Sequence, residues 1–266
     1  MTIEIASLHF YPIKSCRGIA LGAARLDVRG IAGDRAYMVV DQDGRFLTQR
    51  ELPRMALIEP RPDGEGLVIE APGMAPLTVR VDAARGLREV IVWGDRCEAI
   101  ELSDEVAAWL TEFLATPCRL VRFSPDDIRR VNPTFAVRAD DQIGFADSFP
   151  LLLTSESSLG DLNARMDSPL LMNRFRPNVV VRGAAPYAED TWTRLRLGGV
   201  VANIVKPCAR CPITTTDQET ARREKEPLRT LATYRHVAGK GVMFGQNVIH
   251  ETPGVLRIGD PVMLLD

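Results

Sequence analysis

Residues 39–48 read VVDQDGRFLT, with an apolar run on each side of an Asp-Gly pair. Asp-Gly between such runs is a strong sequence signal for a tight β-hairpin. Similar short segments of alternating polarity recur through the first hundred residues, as in IEIASLHFYPI, ARLDVRG, GLVIEA, LTVRV and REVIVWGDRCEAIEL. Strands this short and this frequent predict a β-rich first half, folded as a barrel or a sandwich.

A helix is predicted where this strand pattern stops. EVAAWLTEFLA, residues 105–115, repeats apolar residues at helical spacing, with Ser103 placed as its N-cap and Pro117 as its end. The polar segment RFSPDDIRRVNPTF that follows predicts a linker or an exposed loop. We therefore expect a boundary near residues 120–128 and divide the chain into domains 1–122 and 123–266.

The second half mixes strands and helices. FPLLLTSESSLGDLNARM predicts a strand running into a helix, RFRPNVVVRG and TRLRLGGVVANIVKP predict strands, and EPLRTLATYRHV predicts a short helix. NVIHETPGVLRIGDPVMLLD predicts two closing strands around a Pro-Gly turn. The predicted fold class is α+β and β-rich.

The composition predicts a soluble globular protein. Hydrophobic residues make up 45% of the 266 residues, charged residues make up 26%, and the formal net charge is −2. We expect no nucleic-acid binding, because such proteins are usually basic or carry a basic stripe. We also expect no membrane span, since no apolar run approaches ~18 residues. The strand-like N-terminus and the odd, scattered cysteines predict a reducing, cytoplasmic location.

The segment KPCARCPITTT, residues 206–216, places Cys208 and Cys211 three positions apart. A structural zinc site would need two more thiolate or imidazole ligands, but the chain has no second C-x-x-C and its three histidines are scattered. A thioredoxin-like pair would open a helix. Here Pro212 and the β-branched ITTT predict strand–loop–strand instead.

The residues around these cysteines favour metal chemistry over two small buried side chains. Pro207 and Pro212 stiffen the turn, and Arg210 would lower the pKa of a neighbouring thiol and favour the thiolate. A thiolate on a rigid turn is what a soft metal centre requires.

Short basic or anion-binding segments lie at the ends of several predicted elements. One of them opens the helix after FPLLL, where free N–H groups and the helix dipole suit a phosphate. Each residue taken singly also fits an ordinary turn, cap or surface ion pair, and composition cannot show that they converge. In chain order these residues are Lys14, Ser15, Arg35, Thr154, Ser155, Arg174, Arg176 and Asn178.

Together these segments resemble the MOSC family. The segments that carry the resemblance are YPIKSCRG, GDRAYMVVDQDGRFLTQRE, RFRPNVVV, KPCARCPITTTD, EPLRTLATYR, FGQN and GVLRIGDPVMLL. The likeness is greatest to the branch with an N-terminal MOSC β-barrel domain, which includes the amidoxime-reducing components and the bacterial hydroxylaminopurine-resistance proteins. It implies an N-terminal β-barrel-like domain, residues 1–122, plus a mixed α/β MOSC domain built on a β-barrel, residues 123–266.

The resemblance also implies a molybdenum cofactor, with molybdenum held by the dithiolene of a molybdopterin and by one protein cysteine. In the family this ligand is the second cysteine of the pair, which falls on Cys211. Asp190 falls on a recurrent acidic position and is expected to act in catalysis. The positions implied to bind the cofactor are Lys14, Ser15, Arg35, Thr154, Ser155, Arg176, Asn178, Ala209, Arg210 and Cys211.

The implied activity is the reduction of N-hydroxylated small molecules, such as hydroxylamines, amidoximes and N-hydroxylated bases. Electrons would come from a separate protein, of the ferredoxin type or the cytochrome b5 type with its reductase, because the chain has no plant-type C-x₄-C-x₂-C run. The basic cluster Arg222, Arg223 and Lys225 is either a solvated face or a docking site for that protein. The alternative function is a non-catalytic carrier or maturation protein for the molybdenum cofactor or for sulfur.

Overall fold

Residues 39–48 form the predicted hairpin turn, but the strand that follows the turn is short. A computed structural model describes residues 2–64, 66–82 and 84–265. The Asp41 N–H donates to the Arg45 carbonyl at 2.9 Å, and the Leu47 N–H donates to the Val39 carbonyl at 2.8 Å. The second strand of the hairpin is reduced to a single bridge from Phe46 to Val40, because Arg45 pairs instead with Ile91 of another strand.

The structure contains many short strands, few helices and several single turns of 3₁₀-helix. The strands are β1 Glu4–Phe10, β2 Ile19–Leu21, β3 Ala23–Asp27, β4 Gly30–Ile31, β5 Tyr37–Val40, β6 Glu59–Asp63, β7 Gly66–Glu70, β8 Leu77–Val79, β9 Gly86–Val92, β10 Asp95–Glu101, β11 Arg119–Phe123, β12 Arg129–Arg130, β13 Gln142–Ile143, β14 Leu151–Ser155, β15 Val179–Arg182, β16 Arg194–Leu197, β17 Val200–Ala209, β18 His236–Val237, β19 Gly241–His250, β20 Gly254–Arg257 and β21 Val262–Leu265. The α-helices are α1 Asp104–Leu114, α2 Glu156–Asn163 and α3 Leu228–Ala232. The 3₁₀-helices are Pro53–Leu57, Met172–Phe175, Ala188–Thr191 and Pro212–Thr215.

The main sheet draws strands from both ends of the chain. Its order is β2-β1-β15-β14-β19-β17-β16-β21, with β18 paired to β19. The pairing of β14 with β15 is parallel, whereas the other pairs of this sheet are antiparallel. Smaller sheets have the orders β5-β11-β10-β9, β20-β3-β4, β6-β7-β8 and β12-β13. The predicted α+β, β-rich class is confirmed, although the strands described here form open sheets rather than closed barrels.

Helix α1 begins and ends as its sequence predicts. The Ser103 hydroxyl accepts the Val106 N–H at 3.5 Å, which satisfies one of the free donors of the first turn. Ala115 takes the left-handed conformation, with φ of 51°, and stops the helix two residues before Pro117. Among the residues that the structure describes, no helix has the length and apolar run needed to cross a membrane.

The prediction of a simple linker or exposed loop at residues 122–135 is wrong at its centre. Strand β12 pairs with β13, and the Arg129 side chain is buried. Its guanidinium donates to the carbonyls of Gly144 at 3.0 Å and Ala146 at 2.5 Å, and it pairs with Asp95 at 2.7 Å. An arginine can be buried when its N–H groups are partnered in this way.

The predicted strand after the C-x-x-C is also wrong, because Pro212–Thr215 forms a 3₁₀-turn. The Thr214 hydroxyl donates to the Cys211 carbonyl at 3.0 Å, and the Thr215 hydroxyl donates to the Pro212 carbonyl at 2.8 Å. Threonine side chains that bond nearby backbone in this way compete with strand pairing.

The C-terminal region forms three strands rather than the predicted two. Strand β19 lies inside the main sheet between β14 and β17, whereas β20 pairs with β3 and β21 pairs with β16. The Pro-Gly turn therefore joins strands that belong to different sheets.

Candidate functional site

A cleft of about 850 Å³ opens between the end of β17 and the loop after β1. Asp147 is the one acidic side chain among the residues described as lining it. The basic lining residues are Lys14, Arg35, Arg50, Arg174, Arg176 and Arg210. A concave surface lined mainly by one sign of charge concentrates the potential, so this cleft favours an anionic ligand.

The cleft brings together eight of the eleven residues that the resemblance implies for cofactor binding or catalysis. Those eight are Lys14, Ser15, Arg35, Arg176, Asn178, Ala209, Arg210 and Cys211. The other three, Thr154, Ser155 and Asp190, are not among the described lining residues.

Thr154 and Ser155 lie at the start of α2, as expected, but both are fully buried. The Thr154 hydroxyl contacts the Met172 sulfur at 3.3 Å, and the Ser155 hydroxyl lies 2.6 Å from the Ser157 hydroxyl. These side chains therefore support the wall of the cleft from behind.

The Asp190 carboxylate is held by two partners outside the cleft. One oxygen accepts the Gln246 side-chain amide at 2.7 Å, and the other pairs with Arg235 at 2.7 Å. Because Gln246 belongs to β19, these contacts anchor Asp190 to the main sheet, and its expected role in catalysis stays a prediction.

Three lining residues hold backbone conformations that side chains rarely adopt. Ser15, Arg35 and Arg176 have φ angles of 66°, 47° and 54°, in the left-handed region. Each such conformation costs about 1–2 kcal/mol in a residue other than glycine. Strain of this kind persists only where the surrounding structure enforces it, and it concentrates at functional sites.

Two of these arginines make cation–π contacts with the Tyr11 ring. The guanidinium carbons of Arg35 and Arg176 lie 4.2 and 4.4 Å from its centroid. The Tyr11 hydroxyl donates to the Pro177 carbonyl at 3.0 Å, and burial raises the pKa of Tyr11 to about 12. Tyr11 therefore stays neutral and fixes both cations at the cleft wall.

Asn178 organises the cleft. Its side-chain nitrogen donates to the His9 carbonyl at 3.2 Å and to Asp34 at 3.1 Å. Its side-chain oxygen accepts from Arg35 at 3.0 Å and from the Leu152 N–H at 3.2 Å. All four hydrogen-bonding positions of the amide are taken, so Asn178 orients Arg35, and its expected contact with a cofactor stays a prediction.

Two buried guanidinium nitrogens in the lining have no partner in the described part of the chain. They are Nη1 of Arg174 and Nη2 of Arg210. Other nitrogens of these side chains are engaged: Arg174 Nη2 pairs with Asp217 at 2.8 Å, and Arg210 donates to the Phe244 and Phe175 carbonyls at 2.8 and 3.1 Å. An unpaired buried donor costs about 1–3 kcal/mol, which an anionic acceptor in the cleft would recover.

An ion-paired network crosses the mouth of the cleft around Asp147. Its carboxylate pairs with Lys14 and lies 3.5 Å from Arg50, and it accepts the Trp93 indole N–H at 3.2 Å. Desolvation in the cleft would raise the pKa of Asp147, but Lys14, Arg50 and the Trp93 indole N–H together hold that pKa well below its usual range, in a side chain that is half exposed. Burial lowers the pKa of Lys14, and Asp147 opposes that shift. Asp147 is therefore an ionised hydrogen-bond acceptor.

Cys208 and Cys211 are both half-buried in the cleft wall. Burial raises the pKa of the Cys208 thiol, although Arg210 acts on it in the opposite direction. The expectation of a thiolate beside Arg210 is therefore wrong for Cys208. The Cys211 carbonyl accepts both the N–H and the hydroxyl of Thr214, at 3.2 and 3.0 Å, which fixes the backbone at this cysteine.

Several lining residues were missed in the sequence because their signals were weak. Arg50 lies in the TQRE end of the hairpin segment, and Asp147 lies in FADS just before the apolar run of β14. Arg174 was noted for its charge, but the family resemblance pointed to Arg176 instead. The missed lining residues with polar side chains are Thr48, Arg50, Asp147, Ser148, Thr214 and Asn247.

Comparisons with known proteins cover nearly the whole chain. Residues 2–117 match the MOSC N-terminal beta barrel domain, and residues 140–263 match the MOSC domain. Human (Homo sapiens) mitochondrial amidoxime-reducing component 1 is 36% identical, over 98% of this chain and 82% of that protein. Bovine (Bos taurus) mitochondrial amidoxime reducing component 2 is 34% identical, over 97% and 82%. The crystal structure of the YUAD protein from Bacillus subtilis aligns over 98% of this chain and 94% of that one, with 14% identity and a TM-score of 0.44.

Proposed function

The chain belongs to the MOSC family, and from that premise we propose that it is a molybdenum-cofactor-dependent reductase of N-hydroxylated small molecules. The names of its amidoxime-reducing relatives point to amidoximes as substrates, and hydroxylamines carry the same N–OH group. The main structural support is the basic cleft, which places Cys211 in the same wall as the unpaired guanidinium donors of Arg174 and Arg210.

The cleft residues fit the molybdenum cofactor as a ligand. A pterin phosphate needs cations and free N–H donors, which Arg174, Arg210, Arg35 and Arg176 offer from one surface. Cys211 would supply the soft sulfur ligand that molybdenum takes. When bound, the cofactor supplies two-electron redox chemistry at the metal, while the protein supplies binding and electrostatics.

The proposed reaction takes two electrons and two protons. The N–O bond of the N–OH group breaks, one proton remains on the nitrogen, and the other leaves with the hydroxyl as water. Because Lys14 keeps Asp147 ionised, this carboxylate orients hydrogen-bond donors and does not deliver the protons, which come from solvent. The electrons come from a separate protein, of the ferredoxin type or the cytochrome b5 type with its reductase.

The test compares the two cysteines by metal content. We expect Cys211→Ser to reduce the molybdenum bound per purified protein by at least about tenfold, because a ligand is lost. Cys208→Ser is the matched control, since it alters a neighbouring half-buried thiol, and it should keep its molybdenum. Equal molybdenum in wild type and Cys211→Ser would overturn the proposed metal ligand.

Turnover then separates an enzyme from a carrier. Wild-type protein loaded with molybdenum and given reduced methyl viologen should convert benzamidoxime to benzamidine and water. Fully loaded protein that does not reduce benzamidoxime, hydroxylamine or an N-hydroxylated base would favour the carrier or maturation function.

A further inference from the structure

A second cavity, of about 1490 Å³, adjoins the basic cleft. Cys208, Cys211, Asp147 and Asn247 line both cavities. Four arginines of the first cavity, Arg35, Arg174, Arg176 and Arg210, are not among the described lining of the second. The basic side chains of the second cavity are Arg50, Arg129, Arg130 and Lys206. A ligand in the second cavity would therefore reach the Cys211 region without occupying the anion-binding cleft.

Trp93 lines this second cavity and is unusually exposed for a tryptophan. It exposes 52% of its surface, whereas Trp109 and Trp192 expose 9% and 7%. Its backbone is left-handed, with φ of 57°, at the turn between β9 and β10. A large aromatic residue at such a backbone position is an outlier, which points to a functional constraint on where the ring is held.

Three contacts fix the Trp93 ring. Its centroid lies 5.2 Å from that of Phe46, with the two planes tilted by 59°. The Arg50 guanidinium lies 4.7 Å from the ring, and the indole N–H donates to Asp147 at 3.2 Å. The ring is thus oriented in advance while about half of the residue stays exposed beside the cavity. A preorganised ring loses little freedom when it stacks on a ligand.

We propose that the second cavity binds the part of the substrate that does not react, and that Trp93 stacks on a planar aromatic group there. This inference rests on the proposed reductase function and refines its substrate class to aromatic N-hydroxylated compounds. Asp147 and Arg50 act as positioning residues, because they hold the indole edge and face.

The kinetic test uses two amidoximes that differ in the group next to the reacting carbon. Benzamidoxime carries an aromatic ring, and acetamidoxime carries a methyl group. We expect Trp93→Ala to lower kcat/KM about tenfold more for benzamidoxime than for acetamidoxime, because only the aromatic substrate loses stacking. Trp93→Phe, which keeps an aromatic face, should retain most of the benzamidoxime activity. Equal losses for both substrates in Trp93→Ala would overturn the stacking role.

A binding measurement distinguishes failure of this inference from failure of the reductase proposal. Titration calorimetry of molybdenum-loaded protein should show benzamidoxime bound about tenfold more weakly by Trp93→Ala than by wild type. If wild type turns over neither amidoxime, the reductase proposal fails, and the calorimetry still tests the aromatic site. Unchanged benzamidoxime affinity in Trp93→Ala would exclude Trp93 as its platform.

Discussion

Cys16 lies directly beneath the basic cleft and shows how position sets thiol chemistry. Its carbonyl accepts the Arg176 guanidinium at 2.6 Å, and its side chain is fully buried. Burial raises the pKa of the Cys16 thiol from 9.0 to about 12. Cys16 is therefore a neutral core residue at physiological pH, whereas Cys208 and Cys211 face the cavities.

The buried Cys16 thiol predicts a loss of stability at alkaline pH. In the unfolded chain this thiol ionises near pH 9.0, but in the folded protein it ionises only at about pH 12. The folded state therefore binds more protons between these values, and the free energy of unfolding falls as pH rises, by up to about 1.4 kcal/mol per pH unit. Below about pH 9 this contribution is fully present.

Cys16→Ala should remove this part of the pH dependence. Its loss of packing is the same at every pH, so the comparison with wild type isolates the thiol titration. Urea unfolding at several pH values from about 8 to 10.5 should give a smaller decline for the variant. An identical decline in both proteins would show that Cys16 does not contribute it.

At the scale of single residues, the sequence shows which charged side chains belong to the site better than it shows which of them are buried. Lys14, Arg35 and Arg176 were identified because each is a cation at the end of a predicted element. The burial of Arg129 was not predicted, because its carbonyl partners, including those of Gly144 and Ala146, are set by a turn that no local pattern reveals. The organising role of Asn178 likewise depends on partners from three separate strands and loops.

At the scale of elements, a glycine in β19 allows this strand to pack closely against β14 beside the cleft. Gly245 in this strand has φ of +77°. A Cβ atom added there would lie 2.7 Å from both the Leu153 carbonyl oxygen and the Thr154 methyl group, and 3.6 Å from Arg210 Nη2. The glycine therefore permits β14 and β19 to pack closely beside the buried, unpaired Nη2 of Arg210.

Alanine substitutions at two glycines with similar φ angles separate the stability cost of crowding from that of backbone strain. Gly239 has φ of +71° and nothing within 4 Å of an added Cβ. Gly239→Ala should therefore cost only the left-handed strain, about 1–2 kcal/mol. Gly245→Ala should cost that amount plus about 1–3 kcal/mol for the overlap. Urea unfolding of both variants measures the difference, and equal costs would show that the sheet yields at Gly245.

Elements with local signals were the ones that the sequence predicted correctly. Helix α1 has a capping serine and helical spacing, and the turn at residues 41–45 has its Asp-Gly pair. The segment Pro212–Thr215 was misread as a strand, because its threonines bond to backbone within their own turn. The closing strands were misread because β20 and β21 pair with β3 and β16, which lie far away in the chain.

At the scale of the whole molecule, the two halves of the chain are joined through a buried polar contact. The side-chain amides of Gln49 and Gln218 donate to each other's oxygens at 3.2 and 3.1 Å. Gln49 also donates to the Ser15 carbonyl at 2.7 Å, which links this contact to the cleft. Arg223 donates to the backbone carbonyls of Gln49 and Arg50. Arg223 therefore ties the halves together, and all three residues of the predicted docking cluster are exposed.

The family resemblance read from scattered motifs is confirmed, together with the α+β class. The division into domains 1–122 and 123–266 stays a prediction. Strands β1 and β2 from the first of these ranges lie in one sheet with β14 to β19 from the second. That arrangement depends on long-range strand order, which alternating polarity cannot encode because the same pattern fits any antiparallel partner.

The reciprocal Gln49–Gln218 contact predicts that substitutions at these two positions have coupled effects on the free energy of unfolding. Gln49→Ala or Gln218→Ala alone leaves the other amide buried without its partner, so each should lower the free energy of unfolding by about 1–3 kcal/mol. The double variant should lose less than the sum, with a coupling energy of about 0.5–3 kcal/mol. Gln42→Ala, at an exposed position, is the control and should stay within about 0.5 kcal/mol of wild type. Strictly additive losses from the two substitutions would mean that the reciprocal amide contact does not hold the halves together.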